Sequence, residues 1–127
     1  MIKGISGRED SFLIGFVCKS QALCAITMDE AHQWIYSLIK DYDDLPPYMY
    51  CLLDAKDSIE FRGIIGFPVF ARTNEKDMNA LIGISYKRGL SIEDGDWNIS
   101  RKKALKALAE SPQLEKRFRE TFPFIEW

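Results

Sequence analysis

The chain has 127 residues, 46% hydrophobic and 13% aromatic, with a formal net charge of −2. That length carries one domain with a real core, taken as residues 1–127, and that composition excludes a disordered segment. The slightly acidic balance argues against direct nucleic-acid binding, and no apolar run reaches the roughly 18 residues of a membrane helix.

The start, "MIKGISGREDSF", puts acids where a secretory leader needs its apolar centre, so export is not expected and a cytoplasmic location is. Cys18, Cys24 and Cys51 cannot all pair. On a continuous helix Cys18 and Cys24 lie about 240° apart and point away from each other. Reduced thiols filling the core are the expected state.

In chain order, "FLIGFVCKSQALC" reads as a helix or a strand; Phe12, Leu13, Phe16, Val17 and Leu23 suit the helix, which is the reading adopted. Residues 28–40 place Met28, Ala31, Trp34, Ile35, Leu38 and Ile39 on one helical face, and Thr27 with Glu30 fits a capping box. Pro46 and Pro47 open a helix with Leu45, Met49, Leu52 and Leu53 inside. Ser58 is expected to cap a short helix burying Phe61, Ile64 and Ile65. "GFPVFARTN" breaks the pattern and is expected to cross between layers.

Residues 75–88 resume helical spacing through Met78, Leu81, Ile82 and Ser85, and Gly89 stops them. After the turn "SIEDGDWN", residues 99–110 turn Ala104, Leu105 and Leu108 inward. Ser111-Pro112 starts a last helix with Leu114, Phe118 and Phe122 in register. Only two valines occur, and strand-like alternation is nearly absent. The expected fold is all-α: a single compact domain of about seven short helices, as a bundle or a curved stack of helix pairs.

Most candidate chemistry dissolves on inspection. His32 is the only histidine, so no two-histidine metal site can form within one chain, and it reads as a structural residue on a helix flank. "DGDWN" resembles the start of a calcium loop, but Ile99 and Leu105 stand where a glycine and a bidentate glutamate are needed. It reads as a polar turn with Trp97 folded back. Arg101, Lys102, Lys103 and Lys106 form a basic helix face without an aromatic stacking platform. The glycines make no phosphate-cradling loop. No metal or cofactor site is expected.

"IKDYDDLPPYMYCLLD", residues 39–54, differs because charge segregates around it. Residues 28–60 hold eight acids and two bases, net −6, whereas residues 97–127 hold seven bases and four acids, net +3. Asp41, Tyr42, Asp43 and Asp44 form a loop, with Tyr48 beyond it. Helical phase sets Tyr50, Asp54 and Asp57 in one outward row below. A metal site, an acid/base pair and a surface for a basic partner all use such residues. Solubility and compensation of helix dipoles are the plainest explanation of the acids. Among functional uses, acids with exposed tyrosines suit a protein interface, with the acids steering association and Tyr48 or Tyr50 anchoring it.

The run from "ITMDEAHQWIYSLIKDYDDLPPYMY", through "NALIGISYKRGLSIEDGDWN", to "KKALKALAE" resembles the small helical immunity proteins of bacterial polymorphic toxins and contact-dependent growth inhibition systems. The similarity covers roughly residues 25–110 and rests on helix order, the "DDLPPYMY" turn and "LIGISYKRG". It implies a non-enzymatic, monomeric protein that occludes one cognate toxin domain, often a nuclease, in a one-to-one complex. The binding residues named above come from the charge argument, not from the resemblance. A regulatory module binding another basic protein is the alternative. A small enzyme working through Asp43 or Asp44 is the third class.

Overall fold

The helix signals become seven α-helices and one 3₁₀ turn in the computed structural model, which describes residues 2–90 and 99–127. Among these residues no strand forms, only an isolated bridge between Gly7 and Asp10. The fold class is all-α. The calcium-like turn and Trp97 lie outside the described residues. The helices gather into two compact units, Met1–Ala22 with Thr27–Arg72, and Leu23–Ile26 with Thr73–Trp127.

The first unit begins with a loop that serves as a cap. Asp10 accepts hydrogen bonds from the Gly4 N–H at 2.8 Å and from Ser6 Oγ at 2.7 Å. The Ser6 bond in particular holds the Asp10 carboxyl below its ordinary pKa. The Gly4 carbonyl then accepts from the N–H groups of Leu13 and Ile14, at 3.1 and 3.0 Å. Those donors open α1 (Phe12–Ala22) and have no partner inside a helix. Gly4 has φ +92°, and a Cβ there would meet that of Leu13 at 2.6 Å.

The helical reading of residues 12–22 is correct, and its ambiguity has a cause: Ile14 to Cys18 are all buried, so polar residues mark no outer face over that stretch. On the C-terminal side Cys24 has φ +61° and lies beyond α1, so the helical-angle argument for the cysteines does not apply to it.

In α2 (Met28–Asp41) the capping box between Thr27 and Glu30 is present, with bonds of 3.1 and 2.8 Å. Ala31, Trp34, Ile35 and Leu38 are buried, while Met28 and Ile39 are half-buried at the margin of the stripe. Burying a side chain the size of Ile35 contributes about 1.5–3 kcal/mol. The double proline opens α3 (Pro47–Cys51), which runs into the 3₁₀ turn Leu52–Asp54. Met49 and Leu52 are fully buried. Cys51 is exposed, so the expectation that all three cysteines fill the core is wrong for this one.

The cap of α4 (Ser58–Ile65) is Asp57, not Ser58: its carboxylate accepts the Glu60 N–H at 2.9 Å. Asp57 has the extended backbone of a cap (φ −146°, ψ 175°), whereas Ser58 is already the first residue of the helix. Residues 66–74 carry no regular structure, and Ser11 Oγ accepts the Phe70 N–H at 2.9 Å.

The second unit is built on α5 (Glu75–Lys87) and α6 (Arg101–Ala109), with α7 (Pro112–Thr121) beside them. Asn74 and Asp77 make a second capping box at 2.8 and 3.2 Å. Ala80 to Tyr86 are all buried. Gly83 lets the two helices approach, because a Cβ there would overlap the Ala104 carbonyl. At the far end Gly89, φ +74°, donates to the Tyr86 carbonyl and Leu90 to that of Ser85, the pattern of a Schellman stop. Ser100 caps α6, and Phe118, Phe122 and Trp127 pack their rings at 5.0 and 5.8 Å.

Candidate functional site

The acidic stretch lies at the junction of α2 and α3. The helix must stop before the prolines, because the missing N–H and the ring of Pro46 and Pro47 disfavour helical backbone ahead of them. Tyr42 is the C-cap in extended conformation (φ −131°, ψ 136°), its N–H donating to the Leu38 carbonyl at 2.8 Å. The chain then runs without regular structure to α3, which brings Tyr50 back toward the end of α2.

The result is a shallow depression of about 500 Å³ lined by Ile39, Lys40, Asp41, Tyr42, Asp43 and Tyr50. Tyr42 and Tyr50 remain 37% and 43% exposed. Four of the eight expected residues therefore share one concavity. Ile39 and Lys40 are additions that charge reasoning passed over. Their signal was position, in the last helical turn before the acids. Negative potential comes from two carboxylates and from the carbonyl end of a 14-residue helix. Asp44 is exposed beside the depression but does not line it.

The remaining expected residues divide. Tyr48 is not an exposed anchor. Its hydroxyl donates to the Ile5 carbonyl and its ring stands edge-on to Phe67 at 5.4 Å. Burial, chiefly, pushes its phenol well above the ordinary value, with Cys18 and Asp10 adding to the effect. Asp54 and Asp57 are exposed, but no helical row joins them to Tyr50. The backbone tightens to 3₁₀ at Leu52 and turns extended at Ala55, which discards the helical phase on which that row depended. Asp57 spends its carboxylate on the α4 cap.

Other places carry less. Cys18 faces a cavity of about 130 Å³ with Lys19 and Arg62, but burial raises its thiol to about 12, so no thiolate forms near neutrality. A groove of about 410 Å³ on α5 and α6 carries three lysines, and one of them, Lys76, pairs with Glu110 at 3.5 Å. His32 Nε2 has no hydrogen-bond partner among the described residues. No group of three or more histidine, cysteine or acidic side chains among them is arranged to hold a metal ion. None of the described helices is long and apolar enough to cross a membrane.

Comparison with protein-family models, with curated proteins and with solved structures finds no match.

Proposed function

We propose that this chain is a cytoplasmic bacterial immunity protein that neutralises a cognate toxin domain by stoichiometric occlusion, without catalysis of its own. The observation that supports this most is the depression where Asp41, Asp43, Tyr42 and Tyr50 converge at the end of α2. A nuclease toxin must present a basic surface to its phosphate substrate, and an acidic face with aromatic anchors competes for that surface. The resemblance of residues 25–110 to polymorphic-toxin immunity proteins supports the same reading.

The test is co-expression with the product of the adjacent gene. A one-to-one complex by light scattering, together with cells rescued from a toxic domain, is the expected result. A basic partner that binds but harms no cell would replace immunity with an adaptor role. Turnover of a substrate by the isolated chain, lost on Asp43→Asn, would overturn the reading outright.

A further inference from the structure

We propose that the depression at the α2–α3 junction is a socket for one arginine side chain of the bound partner. This rests on the docking-face reading above and specifies what the face grips.

The walls select for an organic cation. Asp41 and Asp43 supply charge, Tyr42 and Tyr50 supply aromatic surface, and Ile39 supplies an apolar edge. Aromatic faces attract cations through the ring quadrupole. The C-terminal end of α2 adds partial negative charge at the same place. The depression, about 500 Å³, is shallow and open to solvent, so it receives the end of a side chain and does not enclose a ligand. A divalent ion is a poorer occupant, since no group of three or more histidine, cysteine or acidic side chains among the described residues is arranged to hold one.

Between the two cationic side chains, arginine fits better. A planar guanidinium stacks on a ring and forks its donors between two carboxylates, whereas an ammonium is a compact, strongly hydrated point charge. Lys40 belongs to the same lining and competes from within, so removing its charge should tighten binding.

The experiment titrates the full ¹⁵N-labelled chain with N-acetyl-arginine amide and, separately, N-acetyl-lysine amide. Amide shifts should saturate and concentrate at residues 39–43 and Tyr50. Arginine should bind about two- to fivefold tighter than lysine. Asp43→Asn and Tyr50→Ala should each weaken it about threefold, and Lys40→Gln should strengthen it. Equal affinity for both probes, or shifts scattered over the chain, overturns the socket. Toxin binding is scored independently. A bound toxin without an arginine-specific response removes the socket and leaves the immunity reading. An arginine response in a chain that binds no toxin does the reverse.

Discussion

The Tyr48 hydroxyl donates to the carbonyl of Ile5, 43 positions earlier, and so ties α3 to the N-terminal loop. Tyr50, two residues on, points instead into the acidic depression. The two tyrosines should separate stability from binding. Tyr48→Phe leaves the Ile5 carbonyl without this donor and should lower unfolding free energy by about 1–2 kcal/mol, with partner affinity unchanged. Tyr50→Ala should do the opposite. Urea unfolding and calorimetric binding of the two variants check the pair; equal effects on both quantities would contradict the division.

Charge steering gives the second expectation. Asp41 and Asp43 are exposed, so they should act mainly on association rate. Asp41→Lys with Asp43→Lys should slow association with a basic toxin. The deficit should shrink as salt rises from low ionic strength, where screening is weak, to 0.15 M, where the Debye length is about 8 Å. Lys102→Glu with Lys103→Glu should change it little. Stopped-flow measurements at two salt concentrations decide; the reverse ranking would move the interface to α6.

The thiols should react in order of exposure. Cys51 is exposed, Cys24 intermediate and Cys18 buried. Under native conditions a disulfide reagent should modify Cys51 first, and Cys51→Ser should abolish that fast phase. Folding raises the Cys18 pKa from 9.0 to about 12. The unfolded thiol therefore ionises first as pH rises. Its contribution to stability is complete below about pH 9 and is lost progressively toward pH 12. Urea midpoints between pH 9 and 11 should fall, and less steeply in Cys18→Ala.

Two helical glycines should respond with opposite sign. A Cβ at Gly63 in α4 meets nothing within 4 Å, so Gly63→Ala should stabilise by about 0.5–1 kcal/mol. At Gly83 the added methyl collides with the Ala104 backbone and approaches Leu108 Cβ at 3.0 Å. Gly83→Ala should cost about 1–3 kcal/mol despite the better helix former. Thermal melts of both variants suffice.

Much of this molecule was legible in the chain because the signals were local. The Thr27–Glu30 box, the prolines opening α3 and the Gly89 stop act over three or four residues, and each lies where spacing placed it. Local competition could still mislead: Asp57 and Ser58 are both good caps, and only the backbone angles show which one is used. Cys51 reads as apolar by composition, yet it sits on the outer side of a five-residue helix.

The acidic face shows the same boundary. Sequence alone determined that carboxylates and tyrosines crowd residues 41–50, because covalent order keeps them near one another whatever the fold. Only the tertiary structure decided which tyrosine is available. Tyr48 is claimed by Ile5 and Phe67, distant in sequence, while Tyr50 returns to the end of α2. A side chain's exposure depends on what the rest of the chain packs against it, and helical phase carries no information about that once the helix changes to 3₁₀ at Leu52 and ends.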